Sequence, residues 1–190
     1  LAPSIYQGMY NCITREVERE LLPCPRALGM RFYAYNQLAG GLLTGKYTAQ
    51  ALRGAEVAAG SRFTSSNRMY RERYLKEAQL QAAEIVVAAC RAAEIPPAVA
   101  ATVWVARHSA LRYGPNGDAI IVGASSVAQL DVSLTALDAS TSHSAGSPCQ
   151  LPSEVLTAMD EAWEMVQGNG CCPSYERGYS FYSTDTPTSV

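Results

Sequence analysis

Short apolar runs and helical stripes alternate along this chain. Ser4 to Tyr10, Met30 to Tyr35 and Ala119 to Val122 are apolar and aromatic runs bounded by polar or turn residues, which predicts three short buried strands. Between and after them the period changes to that of a helix. Thr14 is placed to cap a helix carrying Val17, Leu21 and Leu22, which Pro23 and Pro25 then interrupt. The strongest stripe runs from about Ser66 to Glu94, with Tyr70, Tyr74, Ala78, Ala82, Ile85, Ala89 and Ala93 at three- and four-residue steps. Pro97 suits the first turn of a helix reaching about Ala110, with Val99, Val103 and Ala106 inward. Ser126 is read as the cap of a helix with Val127, Leu130, Leu134 and Leu137 on its inner stripe. A last helix, from about Pro152 to Gln167, carries Val155, Met159, Trp163 and Val166, with Gly168 as its terminator.

Strands that alternate with helices imply a parallel sheet covered by helices. Three strands do not close a barrel, and an open sheet leaves two unpaired edges. The pattern therefore predicts an incomplete α/β architecture that pairs with another copy or with a missing part. The irregular Ala- and Gly-rich stretch from Gln50 to Ser65 is expected to be a surface loop. The division expected is a body over residues 1–167 and a tail over 168–190. Tyr175, Tyr179, Phe181 and Tyr182 are expected to pack that tail over the body, with a ligand-facing tail as the alternative.

Composition narrows the class. The chain has 190 residues, 48% of them apolar, enough for a real core. Only 17% are charged and the net charge is -2, so bulk charge favours neither nucleic-acid binding nor acidic disorder. Apolar runs fall well short of the ~18 residues of a membrane span. Six cysteines appear without a Cys-x-x-Cys pair, and His108 and His143 lie far apart, which argues against a zinc site. The adjacent Cys171 and Cys172 read as free thiols of a C-terminal loop, with a redox-active pair as the alternative. A reduced, cytoplasmic protein is expected. The chain opens on Leu1 and runs directly into a strand, which reads as a cut in a longer protein.

Four places carry candidate chemistry. Gly40-Gly41-Leu42-Leu43-Thr44-Gly45-Lys46-Tyr47 comes close to a phosphate loop, but Tyr47 stands where a magnesium-binding Ser or Thr is required, and no helix is expected to follow. A nucleotide triphosphatase is excluded on that ground. Close backbone approach at the glycines and a phosphate-holding Lys46 remain. Gly123-Ala124-Ser125-Ser126 lies between a strand and a helix, where free N–H groups suit an anion, and a plain Ser cap uses the same letters. Gln7, read as lying in a buried strand, needs a partner for its amide, and Tyr35 offers a flat face for stacking or a core ring bonded through its hydroxyl. The acids Asp131, Asp138, Asp160 and Glu161 fall on the outer faces of helices and form no acid–base constellation.

The blocks Tyr6-Gln7-Gly8-Met9-Tyr10-Asn11, Arg31 through Tyr47 and Ile120 through Leu130 together resemble the aldo-keto reductase superfamily, with the aflatoxin-aldehyde reductase branch nearest. Cys172-Pro173-Ser174-Tyr175 is similar to the end of that branch. The resemblance implies a partial (β/α)8 TIM barrel, about strands six to eight with their covering helices, cut from an NADPH-dependent reductase of aldehydes or ketones. It implies that Gln7 bonds the nicotinamide carboxamide and Tyr35 stacks on the nicotinamide ring. Asn36, Leu38 and Gly40 would line the pyrophosphate path. Lys46 and Arg62 would meet phosphates, including the ribose 2′-phosphate that separates NADPH from NADH. Gly123, Ser125 and Gln129 would hold the adenosine half. Ser133 stands beside the adenine where the family usually has Asn, and Gln37 replaces its usual Pro. The family's catalytic Asp, Tyr, Lys and His belong to its first four strands, outside the part this chain resembles. Two rival readings follow: a non-catalytic NADPH-binding or interaction module, and a non-redox enzyme using Arg177 in the tail.

Overall fold

The computed structural model of the chain describes residues 2–53, 61–64, 68–114, 117–141 and 150–171. Three strands, β1 (Ile5–Met9), β2 (Arg31–Tyr35) and β3 (Ala119–Ile121), pair in parallel in the order β1-β2-β3. Each falls within the run expected of it. The sheet is open, so the architecture is α/β with a partial, barrel-like parallel wall. Around it lie α1 (Pro23–Ala27), α2 (Ala49–Arg53), α3 (Arg68–Tyr74), α4 (Glu77–Ala92), α5 (Pro97–Val103), α6 (Val127–Thr141) and α7 (Ser153–Gly168).

The register sorts the two sheet faces. Tyr6, Gly8, Phe32, Ala34 and Ile120 share one face, with Gly8, Phe32 and Ala34 buried beneath the helices. Gly8 is small for a reason. A Cβ there would lie 2.4 Å from Phe32 Cζ and 2.9 Å from the Tyr6 ring, and those two rings stack with centroids 5.6 Å apart. Ile5, Gln7, Met9, Arg31, Tyr33 and Tyr35 share the opposite face, which is exposed or half-buried throughout. Gln7 is exposed there, which corrects its reading as a buried amide. The physical reason is that helices cover only the other face.

Helix boundaries depart from the sequence pattern in instructive ways. Thr14 caps nothing: its backbone pairs with Asn11, and only a single short turn, Glu16–Glu18, follows. Pro23 begins α1 at the first helical position instead of interrupting a helix, because its missing N–H is unneeded there. The single long helix expected over 66–94 is two, α3 and α4, separated where Lys76 turns extended (ψ 148°). No glycine or proline marks that break. It leaves Tyr74 fully buried against the strand ends while α4 packs on α7. Ala49 and Leu52 of α2 are buried, so the Gln50–Ser65 stretch opens as an anchored helix. Trp104–His108 continues α5 as a π-helical turn.

On α6, Ser126 caps as expected, its Oγ accepting from Gln129 N (3.3 Å). The inner face is Ser133, Ala136 and Leu137, however, so the anticipated stripe is inward only at Leu137, while Val127 (84%), Leu130 and Leu134 (50%) are exposed. On α7, Val155, Met159 and Val166 are buried as the stripe requires. Gly170, at φ +60°, takes the left-handed conformation after the helix in place of Gly168. Among the described residues no single helix is long and apolar enough to cross a membrane.

Two charged clasps close the body. Arg15 donates to Cys12 O (2.8 Å), Met159 O (3.0 Å) and Asp160 Oδ1 (2.7 Å), and its guanidinium lies 4.4 Å over the Trp104 ring. Asp118, 3% exposed, accepts from Phe32 N (2.7 Å), Arg112 N (2.9 Å) and Arg26 Nη2 (2.9 Å). Burial pushes this carboxyl up, but the two backbone N–H groups and Arg26 outweigh it and hold the pKa below its usual value. His108, partly buried and beside Arg107, is lowered, and its Nε2 accepts from Leu151 N (3.2 Å).

Two outcomes are expected. Gly8→Ala overpacks the Phe32 and Tyr6 rings and lowers unfolding free energy by about 1–3 kcal/mol in a denaturant titration. Stability falls with acid in two stages, because both lowered groups bind protons more readily when unfolded. His108 contributes as pH drops below about 6.5 and Asp118 below about 4, down through its depressed pKa. Thermal melts of Asp118→Asn at several pH values should be lower at neutrality and lack the second stage.

Candidate functional site at the strand ends

The carboxyl ends of the three strands carry the loops in which the sequence placed its candidates. Gln7 and Tyr35 lie on the same open face of adjacent strands, since Gln7 pairs in register with Tyr33 and Met9 with Tyr35. After β2 the chain turns through left-handed residues, with positive φ at Asn36 (67°), Ala39 (49°), Gly40 (71°), Gly41 (107°) and Gly45 (71°). Such a loop is strained, and its neighbours hold it. Asn36 Oδ1 accepts from Gly40 N (2.7 Å), Thr44 Oγ1 donates to Gly41 O (2.7 Å), and Gln37 is buried within the turn. Leu38 is half-buried against the core.

Arg62 joins this loop to the one after β3. Its Nη1 donates to the Tyr70 hydroxyl (2.6 Å), and its guanidinium lies 5.2 Å over the Tyr70 ring. Arg73 approaches the same ring at 5.7 Å. A methyl group on Gly40 would meet the Tyr70 ring at 2.8 Å, and one on Gly123 would lie 3.7 Å from Arg62 Nη2. Gly40, Tyr70, Arg62 and Gly123 thus form a line of contacts across two strand ends. Lys46 is exposed, its Nζ 5.6 Å from the Tyr47 ring, and Tyr47 donates to Ser61 Oγ (2.9 Å) beside Arg62.

Ser125 and Gln129 are brought together. Gln129 Oε1 accepts from both Ser125 N (3.1 Å) and Ser125 Oγ (2.9 Å) on the exposed rim before α6. Ser133 is not brought to that rim; it is buried on the inner face of α6. Arg177, the remaining candidate, and the Cys172–Tyr175 block lie outside the described residues.

Sequence reasoning missed Asn11, Tyr70 and Tyr74. Asn11 is fully buried at the end of β1, its Nδ2 donating to Asn36 O (3.0 Å) and its Oδ1 accepting from Ile13 N (3.1 Å). The two tyrosines were counted as apolar positions of a helical stripe. Their four-residue spacing beside a glycine-rich loop was the available signal for the hydroxyls.

The arrangement sets a guanidinium beside glycine backbone, where an anion can be held. Burial raises the Tyr10 and Tyr74 hydroxyls well above the usual phenol range, with Glu18 beside Tyr10 adding to its shift. Burial also pushes the Cys12 thiol up to about 12 and Cys90 to about 11, which keeps both unreactive. Among the described residues Cys24 and Cys171 are free thiols too. Among the described residues no cluster of His, Cys, Asp and Glu could hold a metal.

Known proteins carry the same pattern. Residues 1–145 match the Aldo/keto reductase family. The chain is 41% identical over 181 residues to human aldo-keto reductase family 7 member A3, covering 93% of this chain and 51% of that protein. It is 42% identical over 183 residues to aflatoxin B1 aldehyde reductase member 2 of Mus musculus, covering 93% of this chain and 46% of that one. An aldo-keto reductase of Pseudocercospora fijiensis is 35% identical over 169 residues, covering 88% and 53%. The chain spans about half the length of these curated relatives. With three-quarters of its length inside the family's pattern, this chain belongs to the aldo/keto reductase family.

Proposed function

We propose that this chain is the cofactor-gripping C-terminal portion of an NADPH-dependent reductase of small aldehydes or ketones, of the aflatoxin-aldehyde reductase type. The observation that carries the reading is the Gly40–Tyr70–Arg62–Gly123 line. It sets a guanidinium between two loops whose glycines admit close backbone approach, at the strand ends where parallel α/β folds bind ligands. A dinucleotide phosphate is an anion of the right chemistry for that place.

In this reading Gln7 and Tyr35 face the nicotinamide from the open side of the sheet. The loop of Asn36, Leu38 and Gly40 follows the pyrophosphate. Lys46 and Arg62 meet the 2′-phosphate, and Gly123, Ser125 and Gln129 hold the adenosine. When bound, NADPH would supply a hydride; the chain's own residues orient it and neutralise its phosphates. Ser133, buried on α6, would act by shaping the helix beneath the adenine. The acid that protonates the substrate's carbonyl oxygen would come from strands that pair with the open sheet, so the 190-residue chain binds NADPH without turnover. The parent enzyme would be a reduced, cytoplasmic protein. Steady NADPH oxidation with a simple aldehyde by this chain would overturn the last point.

Two measurements test the grip itself. Arg62→Ala should weaken NADPH by about 1.5–3 kcal/mol, the range for hydrogen bonds to charged groups, and leave NADH affinity nearly unchanged. Equal loss for both dinucleotides in calorimetric titration would remove Arg62 from the 2′-phosphate. Gly40→Ala combines a left-handed backbone penalty of about 1–2 kcal/mol with displacement of the Tyr70 ring. It should reproduce the Arg62→Ala loss of NADPH selectivity, because Tyr70 holds that guanidinium, while circular dichroism stays native.

A further inference from the structure

We propose that Tyr74 is the positioning residue of the loop after β2, setting the Gly40 backbone through the Asn36 amide and thereby tuning dinucleotide affinity. This inference rests on the NADPH reading above. Tyr74 is fully buried at the end of α3, yet its polar partners lie at the ends of β1 and β2 and not on its own helix. Its hydroxyl accepts from Asn36 Nδ2 (2.5 Å) and lies 2.9 Å from Met9 Sδ, toward which it donates. The hydroxyl is thereby engaged both as acceptor and as donor.

The Asn36 amide works as a two-ended link. Its nitrogen is held by Tyr74, and its oxygen accepts from Gly40 N at 2.7 Å. Asn36 itself sits at φ 67°, a left-handed conformation that asparagine tolerates better than most residues with a Cβ but that is still uncommon, and these bonds help to hold it there. A purely space-filling tyrosine would need only its ring, which tilts 35° against Tyr70. The hydroxyl instead connects a buried helix end to the one N–H that opens the glycine pair. Phenylalanine at position 74 keeps the ring and, among the described residues, leaves Asn36 Nδ2 with the Met9 sulfur at 3.5 Å.

The test uses Tyr74→Phe in the 190-residue chain, with Asn36→Ala as the second variant. Calorimetric titration with NADPH and with adenosine 2′-monophosphate is combined with amide hydrogen exchange. Tyr74→Phe should raise the NADPH Kd about fivefold, the equivalent of one neutral hydrogen bond, and leave the adenosine 2′-monophosphate Kd within roughly twofold. Exchange at Gly40 should quicken while α7 stays protected. Asn36→Ala should give the same split with a larger change, and it decides the matter if Tyr74→Phe does not fold. Unchanged exchange at Gly40 overturns the proposal, as does equal weakening of both ligands with faster exchange in α7. If the unaltered chain binds neither ligand, the NADPH reading fails, and Gly40 exchange alone decides the role of Tyr74.

Discussion

The buried carboxylate of Asp118 is the constraint on which this wall of sheet and helix depends. It takes an N–H from the start of strand β2, another from the approach to β3, and the guanidinium of α1. One side chain thereby registers two strands and a helix at the amino ends of the sheet. A buried charge is tolerated when donors compensate for its lost water, and Asp118 has three of them. Removing the charge frees three elements at once, whereas most substitutions loosen one contact.

With the amino ends fixed, the carboxyl ends can afford strain. Four positive φ angles crowd between Asn36 and Gly41, two of them at residues with a Cβ. Asn11, Asn36 and Tyr74 hold that strain in a buried polar link, while Tyr70 and Arg62 cover it from the solvent side. The two ends of the sheet are thus built on different chemistry. One is an ion cluster around a buried carboxylate, and the other is a set of neutral hydrogen bonds with an exposed cation beside it. Neutral bonds are individually weaker, which suits a loop that must accept a ligand.

How much of this was legible in the sequence follows from the kind of signal each feature leaves. The strands were legible because apolar runs bounded by turns have few other readings. The α7 stripe was legible because Val155, Met159 and Val166 face one neighbour, α4. The break at Lys76 was not, since tertiary anchoring of Tyr74 produces it and no local breaker announces it. The outward turn of Val127 and Leu134 was equally hidden: a stripe gives a face but not the direction of its partner. At the site, the resemblance named the residues. That Arg62 and Gly123 come together while Ser133 turns inward depends on the fold and not on spacing. Tyr70 and Tyr74 were overlooked because hydropathy counts a ring and ignores its hydroxyl.

The Arg15 clasp over Trp104 has an optical side. The chain has two tryptophans, and they report on different things. Trp104 is sealed in the body between a guanidinium and the edge of Tyr10, whereas Trp163 is half-buried on α7. A dry indole emits to the blue of a wet one, and its neighbours dictate its yield. The protein therefore carries an intrinsic spectral gauge of the joint between β1 and α7, readable without any label.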